Sequence, residues 1–325
     1  MTDRNRRGTA VDQQQADLRH DEVQAGTQTG LDEPDVDVTD ARQNSLWSDA
    51  WGELKRNPLF WIGSLLALGF VVMALFPSLF ARGADPRDCS LANSQGKPSA
   101  EHWFGFDQQG CDYLANVVYG ARNSLIIGLL AVAVVLVMGI LVGAVAGFFG
   151  GGVDSLLSRI TDIFYALPLV LGALVVLRSG TLGRGVVAVA IALAAFGWMT
   201  AMRLVRSQVI AVKSSDYVAA ARAMGASNGR ILVRHILPNA VAPVLVYTTI
   251  TIGVLIAAEA TLTYLGVGLQ RPAISWGLQI DAGQNLLRVS PHLVLFPSLA
   301  LTLTVMAFVM LGDALRDALD PRQRA

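Results

Sequence analysis

Few residues in this chain have the type and spacing that chemistry needs. The four histidines, His20, His102, His235 and His292, lie far apart and form neither an HExxH pair nor any other metal-ligand spacing, so no metal site is expected. Among the lysines only Lys97 follows a glycine. A phosphate-cradling loop there would also need Gly at 91 and Ser or Thr at 98, where Leu91 and Pro98 stand. No histidine falls inside the apolar runs to serve as base for a serine nucleophile. The chain is therefore expected not to be an enzyme and to bind no nucleotide itself. What remains is a carboxylate in an apolar run, Glu259, a pair of cysteines, and one polar, arginine-bearing stretch between apolar segments, Tyr217–Pro238, reading YVAAARAMGASNGRILVRHILP.

The local physics of that stretch predicts two short helices. Asp216 is a candidate N-cap, and Tyr217, Ala220, Ala221 and Met224 follow at helical spacing on one face. Gly225 supplies a left-handed stop. Ser227 can cap a second helix from 228 to about 235, and Pro238 closes it. Small side chains at Ala220 and Ala221 let another backbone approach, which favours docking to a cytoplasmic protein. A helix lying on lipid headgroups, with its arginines drawn to anionic lipid, is the alternative.

The elements that position this stretch are set by composition. The chain is 53% hydrophobic and 15% charged, with mean hydropathy +0.48, which reads as an all-α polytopic membrane protein. A formal net charge of zero argues against a nucleic-acid partner. Judged against the roughly 20 apolar residues that cross a bilayer, six spans are expected, at 59–80, 123–149, 161–177, 186–202, 242–267 and 293–312. Residues 1–44, polar and without apolar periodicity, are expected to form a disordered tail, and 313–325 a second, short one. Between them lie an N-terminal segment with the first span and a loop (45–120) and a core (121–312) that includes the loop 213–240. Six spans put both termini on one side. With the N-terminus in the cytoplasm, the inner segments outside the long tail carry twelve Lys or Arg and the outer segments eight, which favours that orientation.

Within the spans, Glu259 must face the bundle, either on a translocation path or in a helix-to-helix hydrogen bond. Pro168 interrupts the third span, as a path-lining irregularity or as a kink. Gly139, Gly143 and Gly147 form a stripe of small residues for a close helix neighbour, in this chain or another. Cys89 and Cys111, the two cysteines, both fall in the outer loop between the first and second spans. A disulfide between them is expected in an oxidising compartment, with two free thiols as the alternative.

The stretch also resembles the cytoplasmic loop shared by membrane subunits of ABC importers: Glu-Ala-Ala, three residues, Gly, nine residues, Ile, one residue, Leu-Pro. Ala220, Ala221, Gly225, Leu237 and Pro238 match, while Ala219 replaces the Glu and His235 the Ile. FGFDQQGCDYLANVVYGARNSL (104–125), AEATLTYLGVGLQRPAISWG (258–277) and LGDALRDALDPR (311–322) are similar to segments of the dipeptide and oligopeptide permeases, over about 50–322 in all. The resemblance implies a type I ABC importer permease fold in a bacterial cell membrane. Its implied partners are a second homologous permease, two ATP-binding subunits that carry ATP and Mg, an extracytoplasmic binding protein and surrounding lipid. Tyr217, Ala219–Ala221, Met224, Gly225, Leu237 and Pro238 would couple this chain to the ATPase. Nickel, glutathione or another small solute in place of peptides, and an ion-driven secondary transporter, are the alternatives.

Overall fold

The computed structural model describes residues 51–319; the tail expected at 1–44 and the last residues, 320–325, lie outside it. Helix α1, Pro58–Leu75, begins where Asn57 accepts the Leu59 N–H at 2.9 Å and Pro58 takes the first position, where its missing N–H costs nothing. It stops before Pro77 rather than continuing to 80 as expected; Pro77–Phe80 forms a separate turn, because proline cannot supply the next helical hydrogen bond.

Helix α2, Tyr113–Phe149, starts ten residues before the apolar run that announced it. Asp112 caps it, Oδ1 accepting from Ala115 N at 2.9 Å. Its first turns carry Asn116, Arg122 and Asn123, which an apolar count passes over. At ~1.5 Å per residue it reaches about 55 Å, well beyond a hydrocarbon layer of about 30 Å.

The third and fourth segments are not continuous spans. The third divides into α3, Gly151–Tyr165, and α4, Leu169–Arg178, bent by 81°. Pro168 occupies the N-cap of α4 with extended backbone, so the interruption read from the sequence is a full break. The fourth divides into α5, Val186–Ala195, and α6, Trp198–Lys213, bent by 50° at Phe196–Gly197. Then come α7, Asp216–Ala223, a helical stretch over 228–240, and α8, Ala242–Tyr264. The short α9, Trp276–Gly283, precedes α10, His292–Leu319. α10 outruns its expected end at 312 because Ala314 and Ala318 bury against Leu54. Among the described residues four helices are long and apolar enough to cross a membrane, up to six if each bent pair is one span, and there is no strand beyond isolated bridges.

α2 is the hub, packed on α1, α5, α6 and α8. Its glycine stripe meets α6 of this same chain. A Cβ at Gly139 would stand 2.5 Å from the Ala201 Cβ, at Gly143 2.6 Å from the Met202 carbonyl oxygen, and at Gly147 2.8 Å from that of Arg206. The open choice of neighbour is thereby closed. At one end α6 is tied to two neighbours: Lys213 donates to the Phe148 carbonyl of α2, and Arg206 grips Asp154 of α3 with two hydrogen bonds of 2.5 and 2.6 Å.

Candidate functional site

The Tyr217–Pro238 stretch sits at the α6/α8 end of the bundle that holds Phe148 and Lys213. Its first helix is capped by Ser215, not Asp216: Ser215 has extended backbone and its carbonyl accepts from Val218 and Ala219. The Ser215 hydroxyl is turned back to the Val212 carbonyl, closing the helix before it. Asp216 instead takes the first turn, where its charge favours the helix dipole.

The face expected to be a single apolar row is divided. Val218 and Ala221, three apart, are buried, whereas Tyr217, Ala219, Ala220 and Met224 are exposed, Met224 at 81%. Val218 has more apolar area to bury than the alanines, so it sets the helix rotation and carries Ala221 inward with it. Ala221 is thus part of the internal packing and not of the outward row Tyr217–Ala220–Met224.

Gly225 ends the helix at φ +81°. Its N–H bonds to the Arg222 carbonyl and that of Ala226 to the Ala221 carbonyl, the two reciprocal bonds of a Schellman stop. The second helix does begin after Ser227, but Pro238 does not close it. Residues Asn228–Arg230 are α, Ile231–Ile236 widen into a π turn, and Leu237–Ala240 resume α. The wide turn shifts the hydrogen bonding, with Leu237 N reaching the Leu232 carbonyl, so a residue without an N–H fits at 238. Leu237 is half-buried and Pro238 exposed. Beneath the pair, Val218, Ile231 and Ile236 share one buried cluster with Val205 and Val209 of α6, Val244 of α8 and Phe148 of α2.

At the opposite end, Glu259 is fully buried in α8. Three hydroxyls donate to it: Thr263 at 2.9 Å, Ser275 at 3.3 Å and Ser124 of α2 at 3.4 Å. A hydroxyl has one hydrogen, so each then faces its backbone neighbour as an acceptor. Thr263 takes the Leu269 N–H, Ser275 that of Leu278, and Ser124 that of Trp276. One carboxylate thereby organises the whole connection from α8 to α9 and pins it to α2. Of the two roles open to Glu259, this geometry is the helix-to-helix one.

Cys89 and Cys111 are joined, S–S 2.02 Å, across a sequence separation of 22. The loop they close is compact: Ser90 N bonds Gly110 O, and Phe106 N bonds Gly96 O. Gly110, at φ +77°, has no room for a side chain, since a Cβ would fall 1.8 Å from the Ser90 carbonyl oxygen. Sequence reasoning missed two residues here. Asp112 caps α2 with one oxygen and meets His102 Nδ1 with the other at 2.8 Å, and Gln108 donates to the Ala282 carbonyl of α9. A carboxylate immediately before a long helix was the available signal for Asp112; nothing local announces Gln108, whose partner is 174 residues away.

Residues 139–325 match the family model of the binding-protein-dependent transport system inner membrane component. Residues 45–94 match the N-terminal TM domain of oligopeptide transport permease C. The dipeptide transport system permease protein DppC of Alkalihalophilus pseudofirmus is 39% identical over 284 residues, covering 86% of this chain and 91% of that protein. The oligopeptide permease OppC of Bacillus subtilis is 37% identical over 290 residues, 89% of this chain and 94% of that one. The glutathione transport system permease protein GsiD of Escherichia coli is 38% identical over 280 residues, covering 85% and 90%. A chain of the inward-facing MetNI methionine ABC transporter superposes with a TM-score of 0.53 at 21% identity, over 63% of this chain and 96% of its own, so the fold is that of a type I ABC importer permease. The chain belongs to the binding-protein-dependent transport system inner membrane components, as a permease of the DppC/OppC kind.

Proposed function

We propose that this chain is the membrane subunit through which an ABC importer passes short peptides, and that α7 with the helical stretch behind it is the handle by which ATPase subunits move it. The carrying observation is the outward row Tyr217, Ala220 and Met224 on a helix whose inner side, Val218, is packed against α6 and α8. A push on the row is transmitted through that buried cluster to both helices at once, because a close-packed core moves as a unit. Ala219 brings no carboxylate to this surface, so docking there rests on shape and apolar contact, with Gly225, Leu237 and Pro238 setting the angle between the two helices.

The bent pairs α3/α4 and α5/α6 each serve as one span, giving six, with both termini and α7 in the cytoplasm and the disulfide loop outside. The twelve-to-eight distribution of basic residues supports that orientation. A second permease, two ATP-binding subunits and an extracytoplasmic binding protein complete the importer. Relatives named for dipeptides, oligopeptides and glutathione share one substrate class, a short peptide acid, and that class is assigned here.

The test is to tag the C-terminus, solubilise native membranes in mild detergent and identify by mass spectrometry what co-purifies with wild type and with Ala220→Trp, which burdens the outward row and spares Val218. A second permease and Walker-motif ATPases should accompany wild type, and the variant should keep the permease and lose the ATPases. Recovery of the chain alone from both preparations would refute the importer reading.

A further inference from the structure

We propose that the cavity between the disulfide-closed loop and α9 is a binding site for the carboxylate end of a short peptide, separate from the ATPase-facing row. The choice of ligand rests on the peptide-permease reading.

The cavity holds about 400 Å³, within the ~300–1,000 Å³ of small-ligand sites. Leu278, Ile274 and Leu293 supply apolar wall, and both cysteines of the disulfide line it. Its charge is unbalanced. Arg87 and Arg271 line the exposed rim, and among the described residues neither guanidinium has an ion pair or a hydrogen bond. The one lining carboxylate, Asp107, keeps its charge and offsets one of the two arginines, while its Oδ1 holds the loop by accepting from the backbone of Gln109 at 2.8 Å and Cys111 at 2.9 Å. Two arginines on the rim of one cavity are suited to a carboxylate.

A second, independent feature points to an N–H donor beside that carboxylate. Gln279 lines the cavity and is 9% exposed. Its Nε2 donates to the Asn116 carbonyl at 2.7 Å, which fixes which way the amide points, since the reverse would set two acceptors together. Among the described residues its Oε1 has no partner, and a buried acceptor left unmade is unfavourable until a donor arrives. The C-terminal residue of a peptide carries both groups, a carboxylate and an amide N–H on either side of one Cα.

The walls are also preset. The disulfide closes the loop, Gln108 latches it to Ala282 of α9, and Tyr113 bonds the Leu293 carbonyl at 2.5 Å. Less ordering then opposes a small ligand.

The experiment uses the full-length chain in lipid nanodiscs and saturation-transfer NMR with dialanine and with alanyl-alaninamide. Dialanine should bind wild type, with the amide about tenfold weaker for want of its charge-assisted bonds. Arg87→Gln and Arg271→Gln, both at the exposed rim, should weaken dialanine similarly while eluting as wild type from size exclusion. Gln279→Met, of similar length, should weaken acid and amide alike. Equal binding of acid and amide, binding unchanged in both arginine variants, or no binding to wild type overturns the assignment. If Arg271 is shielded only when an added extracytoplasmic protein is present, that too overturns it, because the occupant is then a protein side chain. The readout is on this chain alone, so failures separate. Import by the assembled complex without binding here breaks only this inference, and binding here without co-purifying ATPases breaks only the importer reading.

Discussion

At the end of the bundle that carries Cys89 and Cys111, polar groups are paired in layers: Glu259 holds three hydroxyls, these hold three backbone N–H groups, and a disulfide closes the loop alongside. At the other end, Tyr217 and Met224 stand out from a helix of eight residues whose hold on the body comes from Val218 and the cluster beneath it. Around Glu259 the first end supplies its own partners. The second presents apolar side chains that no other described residue covers, on a helix too short to be stable alone. The first region takes its shape from internal hydrogen bonds and the second from packing on the bundle.

That contrast can be broken at Glu259. Replacing it by Ala leaves Ser124, Thr263 and Ser275 without their acceptor and is expected to destabilise the protein by on the order of 3 kcal/mol or more. Glu259→Gln, which keeps the shape and one acceptor oxygen, should fall between. Thermal melts in detergent decide the matter, and a melting temperature for Glu259→Ala equal to wild type would show the layers to be incidental.

Removing the disulfide with Cys89→Ala and Cys111→Ala should cost about 3 kcal/mol by loop-closure entropy. The loss should appear as fast proteolysis within 90–110 while α7 is cut at its wild-type rate. Equal acceleration at both places would mean that the two ends are not independent.

Gly143→Ala, whose new Cβ meets the Met202 carbonyl oxygen at 2.6 Å, should destabilise by roughly 1–3 kcal/mol through overpacking. Gly69→Ala in α1, with nothing within 4 Å of the added atom, should be neutral or slightly stabilising. A melt that cannot tell these two variants apart would contradict the α2–α6 contact.

The smallest effect on stability is expected for Met224→Ala, within about 0.5 kcal/mol for a side chain this exposed. Its consequence should be functional, a loss of ATP-driven peptide uptake in vesicles at unchanged protein level. A fall in melting temperature comparable to that of Gly143→Ala would place Met224 in the fold and not on its outward surface.

Much of the architecture was legible in local pattern. The apolar runs located most of the long helices and Gly225 stopped α7 as read, whereas Pro77, passed over in the run 59–80, ended α1 early. The glycines of α2 announced a close contact without saying with whom. Boundaries failed where the cause was distant: α2 begins early because its polar first turns, Asn116 among them, bury against α9, which follows 160 residues later. Rotation failed at α7, where the four positions 217, 220, 221 and 224 share a face on a helical wheel. The buried side was chosen by Val218 finding Val205, Val209, Ile231 and Ile236.

That this chain is helical and apolar can be read from the sequence alone, because hydrophobic periodicity, capping residues and prolines act over a few residues and need no partner. The sequence also determined the family, through spaced segments that no single local rule would have joined. Only the tertiary structure decided that the glycine stripe belongs to α6, that Glu259 is a hub for three hydroxyls, that Ala221 faces inward, and that Arg87, Arg271 and Gln279 surround one cavity. Each of these depends on contacts between segments far apart in the chain, and such contacts follow from how whole faces pack rather than from any residue's immediate neighbours.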